Sequence, residues 1–166
     1  MDITFAGGKV NLTGTEIKVG DKAPLFTATR NDLSEFNLAD ELGKVIILSV
    51  VPSIDTGVCS IQASTFNEEA AKLGDDIKIV TISLDLPFAQ ERFCAAKGIN
   101  KAEIVSDYKD REFGDKYGFL IDELKLLTRG IVIIDKEGTV QYVEYVPEVT
   151  DEVNFEKALE EAKKLV

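Results

Sequence analysis

Histidine and tryptophan are both absent from this sequence. Without histidine, neither a Ser-His nor a Cys-His pair can supply a nucleophile and its base, so those mechanisms are excluded. Cysteine is scarce, since Cys59 and Cys94 are the only two. Two cysteines without any histidine cannot form an ordinary zinc site. We therefore expect no metal, and we also expect no cofactor.

Long apolar runs and an excess of positive charge are missing as well. The longest apolar run, residues 45–52, is much shorter than the roughly 18 residues that span a bilayer, so we expect no membrane partner. No basic start followed by an apolar stretch is visible, so we expect no secretory signal and a cytoplasmic location. With 19 basic and 30 acidic residues, the formal net charge of −11 argues against a nucleic-acid partner.

The two cysteines have two interpretations at this stage. A reducing cytoplasm disfavours a permanent disulfide between them. They are either two unrelated core residues or a redox-active pair, and their number alone does not decide between these.

Strand and helix patterns alternate along the 166 residues and predict one α/β domain over residues 1–166. An N-terminal β-hairpin comes first, followed by a mixed sheet with helices on both faces. The predicted strands are residues 3–5, 10–12, 26–29, 35–37, 45–51, 77–83, 104–106, 131–135 and 139–146, and residues 15–19 are predicted as a further extended segment. The predicted helices are residues 58–73, 87–97, 111–117 and 151–165.

The most informative segment follows the predicted central strand. Residues 45–51 form a continuous apolar and β-branched run, which is typical of a strand covered on both faces. Pro52 ends this strand, and a loop leads to a helix whose first turn carries Cys59. Free N–H groups and a partial positive charge at a helix start stabilise a thiolate over a thiol. A small buried core residue is the alternative interpretation of Cys59.

Two further residues could assist a thiolate at this position. Thr56 lies three residues before Cys59, so its hydroxyl reaches the first turn of the helix, where it is equally suited to capping. Arg129 precedes a strand of the same sheet, and its guanidinium could hold both the sulfur and substrate oxygens. The alternatives are a surface salt bridge for Arg129 and a simple strand stop for Pro52.

Residues 52–59, with the sequence Pro-Ser-Ile-Asp-Thr-Gly-Val-Cys, resemble the active-site motif of the peroxiredoxins and, over their full length, the thiol peroxidase branch of that family. Residues 85–90, Asp-Leu-Pro-Phe-Ala-Gln, and residues 92–94, Arg-Phe-Cys, resemble the second-cysteine region of that branch. The N-terminal hairpin is similar too, so the resemblance covers nearly the whole chain. One departure is Thr128-Arg129-Gly130, because the arginine of this branch is more usually flanked by alanine.

The resemblance implies a thioredoxin-like fold and a peroxide-reducing enzyme. It implies that Cys59 attacks the peroxide, that Pro52, Thr56 and Arg129 complete the site, and that Cys94 resolves oxidised Cys59 as an intramolecular disulfide. The implied substrates are hydrogen peroxide and organic hydroperoxides, the implied reductant is a thioredoxin-like protein, and the implied assembly is a homodimer. Because the two cysteines lie on different helices, we expect these helices to unwind partly when the bridge forms.

Two other functions stay open from the sequence. A thiol-disulfide oxidoreductase that acts on proteins would share the fold, although the Cys-x-x-Cys motif typical of such enzymes is absent. A non-catalytic binding or chaperone module would not depend on Cys59 at all.

Overall fold

The strands and helices of the chain follow the predicted order, and the computed structural model describes residues 1–166. The strands are β1 (Ile3–Phe5), β2 (Gly8–Val10), β3 (Leu12–Thr13), β4 (Thr27–Arg30), β5 (Glu35–Asn37), β6 (Val45–Val50), β7 (Ile77–Ser83), β8 (Glu103–Ser106), β9 (Leu120–Ile121), β10 (Leu126–Leu127), β11 (Gly130–Ile134) and β12 (Val140–Tyr145). The α-helices are α1 (Gly57–Leu73), α2 (Pro87–Lys97), α3 (Glu112–Tyr117) and α4 (Phe155–Lys163). None of these helices is both long enough and apolar enough to cross a membrane.

Seven of the strands form the main sheet, in the order β12-β11-β6-β7-β8-β4-β5. Strands β6, β7 and β8 run parallel, while the strands on either side of them pair antiparallel. Every residue of β6 is buried, in agreement with its continuous apolar run. Because β6 and β7 are parallel neighbours, the loops that follow them lie at the same edge of the sheet.

Helices cover both faces of this sheet, as predicted. On one face, α1 and α4 pack together, and the rings of Phe66 and Phe155 lie 5.3 Å apart between their centroids. Helix α2 covers the same face beside β8, where Phe93 packs with Ile104. The opposite face carries α3 and a cluster of stacked aromatic rings around Phe113. The predicted mixed α/β sheet with flanking helices is therefore confirmed.

The N-terminal hairpin is also confirmed, with β1 and β2 pairing antiparallel so that Ile3 lies opposite Val10. These two residues pack on Ile121 and Val149, which attaches the hairpin to the body of the protein. A second small sheet, in the order β10-β9-β3, was not predicted. Its strands have only two residues each, which is too short for an apolar alternation to be recognised.

The carboxylate of Glu148 connects the N-terminal hairpin to the loop that follows β12 through hydrogen bonds. Glu148 accepts hydrogen bonds from the N–H and the hydroxyl of Thr150, at 2.8 and 2.7 Å. It also accepts from the Gly7 N–H at 2.8 Å and from the Thr4 hydroxyl at 2.9 Å. These donors, those of Thr150 first, lower the pKa of Glu148 to about 2. The contact therefore stabilises the fold above the ordinary pKa of 4.5 and is lost as the pH falls toward 2.

The last helix is shorter than predicted, because residues 151–154 lie outside α4. Asn154 caps this helix, and its side-chain oxygen accepts a hydrogen bond from the Lys157 N–H at 3.0 Å. The N–H of Asn154 donates in turn to the carboxylate of Glu144 at 3.0 Å. The polar, acidic composition of residues 151–154 resembles that of the helix itself, and the cap position is therefore not visible in the pattern.

Candidate active site

Cys59 lies in the first turn of α1, directly after the loop that leaves the buried strand β6. Thr56 is the N-cap of this helix, and its hydroxyl oxygen accepts a hydrogen bond from the Cys59 N–H at 3.3 Å. The capping interpretation of Thr56 is thus confirmed. The same bond brings the hydroxyl next to the cysteine, so capping and a role beside the sulfur are compatible.

The sulfur of Cys59 is buried and in contact with one cation. Arg129 Nη2 donates a hydrogen bond to Cys59 Sγ, with 2.9 Å between the two atoms. Only 2% of Arg129 and none of Cys59 is exposed. Because both groups are buried, water does not screen this contact. The free N–H groups at the start of α1 lie at the same end of the helix as the sulfur.

Two more hydrogen bonds fix the guanidinium of Arg129. Its Nε donates to the carbonyl oxygen of Val149 at 2.7 Å, and its Nη1 donates to Gln62 Oε1 at 2.8 Å. Both acceptors are neutral, and Arg129 takes part in none of the ion pairs of the chain. The surface salt-bridge interpretation of Arg129 is therefore wrong. Its positive charge is left for the sulfur and for a bound substrate.

Gln62 is a residue of this site that the sequence analysis missed. It lies three residues after Cys59 on the same face of α1, and it is buried. Its Nε2 donates to Ser49 Oγ of β6 at 2.8 Å, while its Oε1 accepts from Arg129. A glutamine on the buried face of a helix, at this spacing from a reactive cysteine, was the available signal. Gln62 thus connects the central strand to the guanidinium.

The residues on either side of Arg129 are constrained by packing. A Cβ at Gly130 would collide with the carbonyl oxygen of Glu144 on β12 and with the ring of Phe119. Glycine therefore allows β11 to approach β12 closely at the level of Arg129. Thr128, which stands where alanine is more usual, is fully buried, and its hydroxyl oxygen has no hydrogen-bond partner.

A cavity of about 200 Å³ lies beside the buried sulfur. Pro52, Thr56 and Arg129 line it, together with Phe5 of the N-terminal hairpin and Val149. The structure thus gathers Pro52, Thr56 and Arg129 around the helix turn that carries Cys59. A ligand in the cavity reaches the guanidinium directly, whereas Cys59 is not one of the lining residues.

Cys94 lies outside the site that contains Cys59 and Arg129. It lies in the last turn of α2 and is half-buried, and both cysteines are free thiols. It lines a different cavity, of about 300 Å³, with Asn31 and Ile99. Burial raises the pKa of the Cys94 thiol, and a hydrogen bond from Asn31 Nδ2, 3.7 Å from Sγ, opposes this shift only in part.

Both the sequence and the fold of the chain match known proteins. The model of the Redoxin family matches residues 18–159. The chain is 56% identical to the thiol peroxidase of Bacillus subtilis (strain 168), over 99% of this chain and 98% of that protein. It is 53% identical to the thiol peroxidase of Halalkalibacterium halodurans, over 97% and 96%. Its structure matches a peroxiredoxin-like protein from Aquifex aeolicus with a TM-score of 0.91 and 38% identity, over 99% and 97% of the two chains.

A thioredoxin-like sheet that presents a thiol and an arginine together at a helix start defines a thiol-based redox protein. The chain belongs to the redoxin family, and its similarity to the thiol peroxidases extends over its full length. It is an enzyme of the peroxiredoxin type with thiol-dependent peroxidase activity. The resemblance drawn from residues 52–59 and 85–94 is thereby confirmed.

Replacing Gln62 with leucine tests how Arg129 is positioned. The variant lacks the acceptor for Nη1, and a hydrogen bond to a charged group is worth about 1.5–3 kcal/mol. We expect Cys59 to be oxidised by hydrogen peroxide roughly tenfold more slowly, because the guanidinium is no longer held at the sulfur. Acid quenching followed by intact-mass measurement gives this rate. Ser49→Ala keeps the Gln62–Arg129 bond and is the matched control, and equal rates for both variants would contradict the assignment.

Proposed function

We propose that this enzyme reduces hydrogen peroxide and organic hydroperoxides, with Cys59 as the attacking thiolate and Cys94 as the resolving thiol. The observation that supports this most directly is the 2.9 Å contact between Arg129 Nη2 and Cys59 Sγ beside a cavity. A thiolate stabilised by a buried guanidinium is poised to attack an electrophile that enters this cavity.

The first step is attack of the Cys59 thiolate on one peroxide oxygen. The O–O bond breaks, its electron pair leaves with the second oxygen, and protonation of that oxygen gives water or an alcohol. Cys59 becomes a sulfenic acid. Arg129 stabilises the negative charge that develops on the leaving oxygen. The Thr56 hydroxyl forms a hydrogen bond with the peroxide, as donor or as acceptor. Pro52 shields the sulfur from water.

The second step joins Cys94 to the oxidised Cys59. Cys94 gives up its thiol proton and attacks the sulfenic sulfur, an S–S bond forms, the S–O bond breaks, and the leaving hydroxide takes up a proton and departs as water. Each cysteine is held in a helix, since Cys59 belongs to the first turn of α1 and Cys94 to the last turn of α2. A disulfide needs Cα atoms within about 7 Å of each other, so we infer that both helix ends open locally during this step.

The third step regenerates the two thiols. A dithiol protein of the thioredoxin type opens the disulfide by exchange and is itself oxidised. The disulfide exists only after local opening, so this reductant meets the opened form of the enzyme. The homodimer, the cytoplasmic location and the single domain over residues 1–166 stay predictions.

The lining of the cavity supports organic hydroperoxides as substrates. Phe5, Pro52 and Val149 present carbon atoms to it, while Thr56 and Arg129 provide the polar groups. A peroxide group can therefore lie at the guanidinium while an apolar substituent contacts the hairpin.

The burial of Cys59 disfavours the oxidoreductase interpretation. An enzyme that reduces disulfides in other proteins has to present its sulfur to a large partner, and Cys59 has no exposed surface. A small peroxide in the cavity beside Arg129 lies next to the helix turn that carries the sulfur, whereas a protein partner meets only the opened form that follows oxidation. No contact in the structure favours a binding or chaperone module over this chemistry.

Two serine variants separate the steps. Cys59→Ser is expected to consume no peroxide, because the attacking sulfur is gone. Cys94→Ser is expected to react once, to keep Cys59 as a sulfenic acid, and to turn over poorly with thioredoxin. Intact mass after one equivalent of peroxide should show the wild type losing two hydrogens without forming a covalent dimer. Normal turnover by Cys94→Ser would remove the intramolecular bridge from the mechanism.

Phe5→Ala tests the apolar wall of the cavity. Removing this aromatic contact weakens binding of a bulky hydroperoxide by about 1.5 kcal/mol, which raises the KM for cumene hydroperoxide roughly tenfold. The KM for hydrogen peroxide is expected to stay unchanged, because this substrate is too small to reach the ring. Val19→Ala removes an exposed apolar side chain outside the cavity and is the control. An equal change for both peroxides would contradict substrate selection by Phe5.

A further inference from the structure

The carboxylate of Asp85 joins the two segments that carry the cysteines. Asp85 lies in the short connection between β7 and α2. Its Oδ1 accepts from the Ser53 hydroxyl at 2.7 Å, and its Oδ2 accepts from the Ile54 N–H at 2.9 Å and from the Ser83 hydroxyl at 2.6 Å. None of these donors is charged, and Asp85 takes part in no ion pair.

One side of this network holds the loop in front of Cys59. Ser53 and Ile54 lie between Pro52 and the N-cap Thr56, both of which line the cavity. Ile54 is buried, with 1% of its surface exposed. Its N–H has no helix or strand partner and donates to Asp85, so this bond helps to hold the loop in place. The position of this loop in turn sets the first turn of α1.

The other side of the network holds the start of α2. Ser83 Oγ accepts a hydrogen bond from Gln90 Nε2 at 3.0 Å, and the same nitrogen donates to the carbonyl oxygen of Val105 at 2.9 Å. Gln90 is fully buried within α2. The backbone carbonyl of Asp85 accepts from the Ser106 hydroxyl as well. Through Ser83 and Gln90, the carboxylate is connected to the helix that carries Cys94.

Apolar packing joins the same two segments. Ile54 of the loop, Ala63 of α1 and Phe93 of α2 belong to one small buried cluster, and Cys94 packs against it. The loop can therefore leave Asp85 only if this cluster also loosens. Hydrogen bonds to a carboxylate are stronger than hydrogen bonds between neutral groups. Asp85 therefore makes the strongest polar contact between the Cys59 loop and the Cys94 helix.

We propose that Asp85 is a positioning residue that keeps the Cys59 loop and the Cys94 helix in the arrangement for peroxide attack, and that it must release Ser53 and Ile54 before the disulfide forms. This inference rests on the proposed function. It predicts opposite effects on the two chemical steps, because the fixed loop favours attack by Cys59 and hinders approach of Cys94. A residue that only supports the fold would affect both steps in the same direction.

Asp85→Asn tests this proposal, since it keeps the shape but replaces one accepting oxygen with an NH₂ group facing other donors. We expect peroxide oxidation of Cys59, measured in a Cys94→Ser background, to slow roughly tenfold. We expect disulfide formation after oxidation, measured with both cysteines present, to accelerate by a similar factor. Acid-quenched intact masses report both rates. The fraction of sulfinic acid at high peroxide should fall, because resolution then competes better with a second oxidation.

Asp55→Asn is the matched control, because Asp55 belongs to the same loop and is exposed, and its carboxylate accepts no hydrogen bond. It should leave both rates unchanged. Parallel slowing of both steps by Asp85→Asn, or no change in either, would overturn the proposal. If urea titration shows that Asp85→Asn is not folded, the same two rates are measured for Ser53→Ala, which removes one donor to Asp85 and the acceptor of the Asp55 N–H. A wild-type protein that forms no Cys59–Cys94 bridge would instead refute the proposed function.

Discussion

One buried contact, between the guanidinium of Arg129 and the sulfur of Cys59, constrains the rest of the site. A cation removed from water destabilises a fold unless its donors find acceptors. Arg129 meets this requirement through the carbonyl of Val149 and the side chain of Gln62, which leaves three of its five N–H donors, one of which bonds to the sulfur. Gly130 pairs with Val50, the last residue of β6, and this register places Arg129 beside the loop that leads from β6 to α1.

The proposed cycle makes two opposite demands on this structure. Attack on peroxide needs a fixed loop around the sulfur, whereas the disulfide needs the two cysteine-bearing helix ends to open. In the structure, Cys59 is buried behind the cavity that Arg129 lines, and Cys94 lines a different cavity. The hydrogen bonds of Asp85 join the loop before Cys59 to the segment that leads into the Cys94 helix, and these two parts have to separate. The same hydrogen bonds that support attack therefore also oppose early opening.

Patterns that extend over only a few residues predicted much of the fold. The apolar run of β6 and the spacing of Thr56 and Cys59 act over a few residues, so the central strand, the helix start and the cap could be read directly. Arg129 lies 70 residues from Cys59 along the chain, and its place before a strand of the same sheet and the motif resemblance together connected the two. Gln62 offered only its spacing from Cys59 on the buried face of α1, and Asp85 was missed because long-range hydrogen bonds between polar side chains leave no periodic signal.

The most direct test of the central contact is the oxidation rate of Cys59 in Arg129→Lys, measured in a Cys94→Ser background to isolate the first step. Lysine keeps the positive charge, but its ammonium group lacks the planar arrangement of donors with which arginine reaches Val149, Gln62 and the sulfur at once. We predict that the second-order rate with hydrogen peroxide falls roughly 100-fold, as when one donor to a transition-state oxygen is lost. A rate equal to that of the Arg129 protein would contradict the account.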